Sequence, residues 1–333
     1  MGRGFIKMGK IIIMALDAGK YDLKAIGRNV EGNPEDIKRI KFRAKMYDMA
    51  KGFIEAEGNS YKAELDGKTF IVGEQGEQSS NETSKTSLLH KLCAYVAITK
   101  YLEPNTKDNH IKIVLACPIT ILMNVEAKDE YKNFIKGDGI IKINVNDENY
   151  EFLIDEITIK AEDSGILYLN PEWFQNKKVA LLGFGGLNMN FTIYENSVAV
   201  PSSRFSVEFG SNRLIIDLAD TLGVALRGKR VLFEDAERAL NEGVLTILKK
   251  PQSNTISVIE KFKIDFIIEA KEELKMRGYN LDLIEVVAVG GTVCKIESAL
   301  KEVIGTEINI PSEPQWASVE GLYRIAYVKY IKK

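Results

Sequence analysis

Four short stretches carry residues whose types and spacing suit a phosphate chain. In "LDAGKYDLK", Asp17 ends an apolar run and Gly19 follows it closely. A glycine there permits a sharp turn whose successive N–H groups point into one concavity, and such concavities bind anions. Asp17 would face the same place. A carboxylate is a poor partner for phosphate but holds Mg²⁺ through water. Lys20 and Lys24 add positive charge. An ordinary Asp-x-Gly hairpin turn contains the same residues, so the stretch alone leaves both readings open. "LGFGGLNMN" sets Gly185 and Gly186 between two apolar runs, with Leu187 and Asn188 after the turn, and by itself also reads as a hairpin. "EFGSNR" puts Gly210 just before a helix, where Ser211 and Asn212 could cap it and meet a ligand. "VVAVGGT" ends a buried strand in Gly290 and Gly291, and Thr292 opens a helix whose N-terminus could approach a nucleotide. That last segment fits neither G-x-x-x-x-G-K-[ST] nor G-x-G-x-x-G.

The elements needed to hold these stretches are legible in outline. Residues 10–30 read as strand, tight turn, strand. Residues 31–83 are polar and glycine-containing, with short strand-like pieces, and suggest an insertion or small subdomain. Residues 84–102 are expected to form an amphipathic helix with Ser or Thr near its start as cap. "IKIVLACP" is a strand stopped by Pro118, a short helix is expected over 124–136, and strands over 139–147 and 151–160. A hairpin over 179–195 and a strand over 197–208 follow, then helices near 211–223, 232–248 and 254–277, a strand–Gly-Gly–helix unit, and a closing helix in "ASVEGLYRIAYVKYIK". Two glycine-turn hairpins thus open two halves, a weak internal duplication. Hairpins mixed with crossovers imply α/β layers with a mixed sheet in each half, and a ligand crevice between the halves.

Composition narrows the class. The chain has 333 residues, 45% hydrophobic and 28% charged, which is ordinary globular material of two domains or one large one. Lys plus Arg number 45 against 47 Asp plus Glu, so direct nucleic-acid binding is not expected. Cys93, Cys117 and Cys294 are scattered and odd in number, with neither a disulfide framework nor zinc spacing, which fits a reducing cytosol. Two histidines cannot supply both a catalytic triad and a metal site, and His90, within a helix-like run, reads as structural. No apolar stretch reaches the length of a membrane span, and Asp17 interrupts the basic-then-apolar start, so neither a signal peptide nor a membrane association is expected. Met8 is an alternative start, which would make the first seven residues a dispensable tail.

The order of the four stretches carries more than any one of them. It resembles the actin, heat-shock chaperone and sugar kinase superfamily, and within it the plasmid-segregating actin-like ATPases of the ParM type. "LDAGKYDLK" is similar to the first phosphate loop, D-x-G-x-x-x-x-K, "LGFGGLNMN" to the second, D-x-G-G-x-T-x-D, and "VVAVGGT" to the adenosine loop. "IPSEPQWASVEGLYRIA" resembles P-x-x-P-x-F/W-A-x-V-x-G, the pattern most specific to the subfamily. Residues 31–83 match poorly.

The resemblance implies two RNase H-like domains with mixed sheets flanked by helices and a nucleotide cleft between them. The first would comprise 9–175 with 318–333, including the insertion near 31–83, and the second 176–317. It implies ATP or GTP with Mg²⁺, head-to-tail self-assembly into filaments, and cytoplasmic movement of plasmid or phage DNA through a ParR-type adaptor bound to centromere-like DNA. Asp17 would lie in the metal's outer shell. Gly19, Lys20 and Lys24 would approach the phosphates, as would Gly185, Gly186, Leu187, Asn188 and Asn190. Gly210, Ser211 and Asn212 would lie near sugar and phosphates, and Gly290, Gly291 and Thr292 against the adenosine side. Glu162, in "IKAEDSG", matches the glutamate that orients the attacking water.

The chain also departs from the pattern. Lys20 stands where Ser or Thr is usual. Gly183 and Asn190 stand where the second loop's two aspartates are expected. An amide is no base and holds Mg²⁺ more weakly, so hydrolysis is expected to be slow while backbone-mediated binding persists. Two alternatives accompany this reading: a sugar- or acetate-type kinase of the same superfamily, and a nucleotide-binding scaffold without hydrolysis.

Overall fold

The computed structural model describes residues 9–80 and 84–332. The chain divides into two compact units, one running up to Leu169 and resuming at Ser318, the other Asn170–Ala317. The possible start at Met8 and the tail before it lie outside the described residues.

The first unit is built on a nine-stranded mixed sheet. Its strands are β1 (Ile11–Ala18), β2 (Asp22–Asn29), β3 (Lys38–Arg43), β4 (Met46–Asp48), β5 (Ser60–Leu65), β6 (Lys68–Gly73), β7 (His110–Cys117), β8 (Ile140–Val145) and β9 (Glu148–Ala161), in the order β3-β2-β1-β7-β9-β8-β5-β6-β4. β1 lies inside the sheet, antiparallel to β2 and parallel to β7. Its residues Ile12 to Leu16 are fully buried, as a continuous apolar run covered on both faces must be. The β8–β9 connection is a two-residue turn with Asn146 and Asp147 at φ 54° and 65°, the left-handed pair a tight hairpin requires.

The segment expected as an insertion contributes β3 to β6 to this same sheet, β3 through β2 and β5 through β8. Helix α1 (Leu88–Thr99) is shorter than expected and is not amphipathic: every residue from Leu89 to Thr99 except Lys91 is buried. Ser87 occupies the cap position, but its hydroxyl bonds His90 Nδ1 at 2.8 Å instead of capping. α2 (Ile119–Leu122), α3 (Val125–Lys136) and α4 (Ile166–Leu169) complete the run of the chain to Leu169.

The second unit holds β10 (Lys178–Phe184), β11 (Met189–Glu195), β12 (Val198–Ala199), β13 (Phe205–Val207), the small hairpin β14 (Thr246–Ile247) and β15 (Lys250–Pro251), and β16 (Glu285–Val289). The strand expected over 197–208 is broken. A 3-10 turn at Pro201–Ser203 splits it, because Pro201 cannot donate to a ladder and the Ser203 hydroxyl takes the Ile193 N–H at 2.8 Å. Helices α5 (Ser211–Ala225), α6 (Phe233–Glu242), α7 (Ile256–Met276) and α8 (Val293–Val303) share a core with the sheet around Leu182, Phe191, Leu214, Leu218, Phe266 and Ile296. α6 stops well before residue 248, since Gly243 adopts φ 73° and closes it with a left-handed residue.

The two sheets repeat one pattern. β10 is antiparallel to β11 and parallel to β16, as β1 is to β2 and β7. The chain leaves the second unit within α9 (Pro314–Tyr330). This helix packs against the first unit at a glycine pair: a Cβ on Gly321 would lie 1.8 Å from the Gly165 carbonyl oxygen. Gly321→Ala is therefore expected to destabilise the protein by about 1–3 kcal/mol or more through overpacking against backbone, measured as a lowered urea midpoint with unchanged slope.

Candidate functional site

The first group of predicted residues meets at the ends of β1 and β9. Asp17 pairs across the hairpin with Lys24, whose ammonium lies 4.0 Å from its carboxylate. Gly19 is required by close approach rather than by a left-handed backbone, since a Cβ there would lie 2.3 Å from the Asp22 carbonyl oxygen. Lys20 follows in the turn. The Lys24 ammonium offsets part of the Asp17 charge. Burial raises the Asp17 pKa, Lys24 opposes this, Glu162 raises it further and Lys85 lowers it. The first group is thus an acidic pair, Asp17 and Glu162, held with two lysines.

Lys85 was not legible in the sequence. It sits in a polar stretch before α1 that reads as surface, yet its side chain is only 3% exposed. Its Nζ donates to the Ala18 carbonyl at 2.6 Å and to Glu162 Oε1 at 3.1 Å. Behind them lie two buried polar groups with unpartnered atoms, Tyr131 Oη and His90 Nε2. Burial, Glu162 and Cys117 hold the Tyr131 phenol well above its usual range, so it is neutral. Burial, then Lys85 and Lys20, push His90 down to about 3, so it is a neutral structural imidazole.

The second group meets within the other unit, where the β10–β11 turn, the start of α5 and the start of α8 converge. The turn is closed by Gly185 N–H donating to the Asn188 carbonyl at 2.8 Å. Its carbonyls then organise the neighbours. Gly185 O accepts from Ser211 N at 3.1 Å and from the Thr292 hydroxyl at 2.7 Å, and Gly186 O accepts from Asn212 N at 2.8 Å. This corrects the expected capping role of Ser211 and Asn212: Gly210 is the cap residue, no side chain caps α5, and two of its orphan N–H groups are satisfied by the turn. The Ser211 hydroxyl reaches the Gly186 carbonyl at 3.4 Å. Thr292 is buried, and its hydroxyl acts as a strut between loops.

Two glycines are needed for this convergence. A Cβ on Gly210 would lie 2.2 Å from Leu187 C, and one on Gly290, which has φ 110°, would lie 2.2 Å from the Phe184 carbonyl oxygen. The Gly290 N–H donates to the Pro314 carbonyl at 2.8 Å, so the proline-rich stretch "IPSEP" fastens the loop between β16 and α8. Gly291 faces open space. Among the described residues, the N–H groups of Gly186, Leu187 and Asn188 have no hydrogen-bond acceptor. Open space at Gly291 and three successive undirected amides fit a phosphate-bearing ligand.

The missing carboxylates map to one spot. Gly183 and Asn190 are direct cross-strand partners on β10 and β11. By register they occupy the places that Asp17 and Lys24 occupy on β1 and β2, each pair lying one step before the pair that closes the hairpin (Phe184 with Met189, Ala18 with Leu23).

A sheet-pair repeat of this topology, with a glycine-turn hairpin leading each half, defines an actin-like fold, and comparison with known proteins agrees. The family model described as actin-like proteins, N-terminal domain, matches residues 15–165. A solved structure titled "Alp12 filament structure" is 44% identical over 96% of this chain and 99% of its own, with a TM-score of 0.70. The chain therefore belongs to the actin-like protein family. An archaeal actin homolog, Ta0583, in complex with ADP, shares the fold at 17% identity over 95% of this chain and 99% of its own, TM-score 0.74. The apo psk41 ParM protein does so at 14% identity over 97% and 99%, TM-score 0.70. Comparison with curated proteins finds no match. Among the described residues no helix is long and apolar enough to cross a membrane, and no cluster of acidic, histidine or cysteine side chains forms a ready metal site.

Because the folded-state pKa of Asp17 lies above its ordinary 3.8, its ionisation costs the fold stability. That cost is full above the raised value and gone below 3.8, where folded and unfolded chains are both protonated. Asp17→Asn is expected to raise the Tm of the nucleotide-free protein at neutral pH, with the difference from wild type closing as pH falls, as followed by thermal melts across a pH series.

Proposed function

We propose that this chain is a nucleotide-dependent, filament-forming actin-like protein that segregates plasmid or phage DNA, hydrolysing ATP or GTP slowly as a timer of polymer lifetime. The observation that carries the reading is the inequality of the two hairpins. One keeps the acidic residue suited to a metal's outer shell, Asp17, beside Glu162. The other keeps the cradle of glycines and unpaired amides but has Gly183 opposite Asn190 where carboxylates would stand. Binding is supported in both units and fast chemistry is not. The 44% identity to a protein titled as a filament supports self-association.

In this reading the amides of Gly186, Leu187 and Asn188 hold phosphate oxygens, Gly19 keeps the backbone of the first turn open to phosphate, and Lys20 supplies charge there. Gly210 to Asn212 border the sugar, and Gly290 and Gly291 leave room on the adenosine side. Asp17 would hold Mg²⁺, and the ion would offset charge on the phosphates. Glu162 orients the attacking water. A polymer switch needs no faster step: the triphosphate state favours the lattice and the diphosphate state weakens it. The near-neutral net charge of −2 suits a protein that reaches DNA through an adaptor of the ParR type.

Electron microscopy and pelleting with Mg²⁺ and ATP, then GTP, test the reading. Filaments with one or both are expected, and a chain that stays monomeric at high concentration with every nucleotide overturns it. Glu162→Gln should slow phosphate release while filaments persist longer. Asn190→Asp should accelerate release by about tenfold or more, the scale of restoring one catalytic group, and shorten filament life. A scaffold that binds without hydrolysing is favoured by the same Gly183–Asn190 pair, and phosphate release followed over hours separates it from a slow hydrolase.

A further inference from the structure

We propose that Lys85 is a positioning residue for Glu162: a buried ammonium that ties this carboxylate to the end of the strand bearing Asp17 and fixes its aim. The inference rests on the hydrolysis reading above and adds a residue that neither the sequence pattern nor the family comparison assigns.

Three observations carry it. The first is the asymmetry of the pair. The Lys85 side chain is 3% exposed and that of Glu162 is 21% exposed. A glutamate at that exposure is hydrated and does not require a cation. A lysine so deeply buried does require acceptors, since an unpaired ammonium is among the costliest groups to bury. The lysine is therefore the fixed member, and the glutamate is held from behind with its outer side toward solvent. The second is the choice of acceptors. Nζ donates at 2.6 Å to the Ala18 carbonyl, between Asp17 and Gly19, and at 3.1 Å to Glu162 Oε1, just past the end of β9. One ammonium thus sets the distance between the first turn and the carboxylate. The third is the backbone. Lys85 has φ 59°, a left-handed conformation that a residue with a long side chain seldom adopts. Such strain persists where surrounding contacts over-determine it, and it clusters at functional positions. Here it accompanies a side chain turned into the protein at the approach to α1.

Lys85 touches neither reacting atom in this scheme. It acts through Glu162, so its removal should matter only while Glu162 is present. The test is a double-mutant cycle on the full-length chain with Lys85→Met, Glu162→Gln and the pair, read in two ways. In phosphate release at saturating Mg²⁺-nucleotide, Lys85→Met should lower kcat by about tenfold with nucleotide affinity kept within about threefold, and should add little in the Glu162→Gln background, the non-additivity expected of groups acting as a unit. Lys85→Arg, which keeps the charge and donors, should recover much of the rate. In thermal melts of the nucleotide-free protein, the double variant should lose less Tm than the two single losses together.

The outcomes are distinguishable. No phosphate release from wild type, or a Glu162→Gln variant as fast as wild type, overturns the hydrolysis reading and this inference with it. A slow Glu162→Gln with Lys85→Met at wild-type rate, or with strictly additive losses in rate and in Tm, overturns the inference alone. If Lys85→Met does not fold, Lys85→Gln, which keeps an N–H donor without the charge, takes its place in the same cycle.

Discussion

The carbonyl oxygen of Gly185 is the point around which the second unit's loops are arranged. It accepts from the first amide of α5 and from the hydroxyl that opens α8. A carbonyl has two lone pairs, and both are engaged here. With the next carbonyl taken by Asn212, the turn directs its acceptors to the two helices, while among the described residues the N–H groups of Gly186 to Asn188 have no acceptor. The glycines follow from this. Helix starts can approach a turn's backbone this closely only if Gly210 and Gly290 have no Cβ, so residues that look like loose punctuation in the sequence are consequences of hydrogen-bond geometry.

The first unit solves a different problem with electrostatics. Asp17 and Glu162 are brought near one another at strand ends, and burial disfavours the charge on Asp17. Lys24 across the hairpin and Lys85 from beneath supply the compensation. The unit therefore carries a stored electrostatic cost that a bound cation would relieve, in keeping with the usual opposition between stability and function at a site. The polar atoms behind it, on Tyr131 and His90, are both held neutral.

Much of the fold was legible because local signals and long-range structure agree. The apolar run Ile11–Leu16 with Gly19 after it, the run Val179–Phe184 with its glycines, and "VVAVGGT" each contain their own strand and their own stop. What failed depends on partners far away in sequence. The strands of 31–83 look weak alone because β5 finds its pairing with β8 only after the chain has returned. Helix α1 was given a polar face because Ser, His and Lys punctuate it, whereas burial on nearly all sides shows that its neighbours decide its environment. Lys85 was invisible for the same reason: nothing in "TSKTS" announces a side chain turned inward. The glycines were legible as turn and helix-start residues, but that Thr292 serves as a strut between loops required the hydrogen bonds.

The register of the two hairpins bears on how such a chain can change over generations. Gly183 and Asn190 face each other in the second copy of a position whose first copy holds Asp17 and Lys24. In the genetic code every glycine codon lies one nucleotide from a codon for aspartate or glutamate, and asparagine lies one nucleotide from aspartate. A duplicated scaffold that keeps its shape by backbone contacts tolerates a change of side chain at that spot without loss of the turn. The sequence thus stands one base substitution from a carboxylate on either strand, so this cross-strand pair can change its charge while the architecture stays in place.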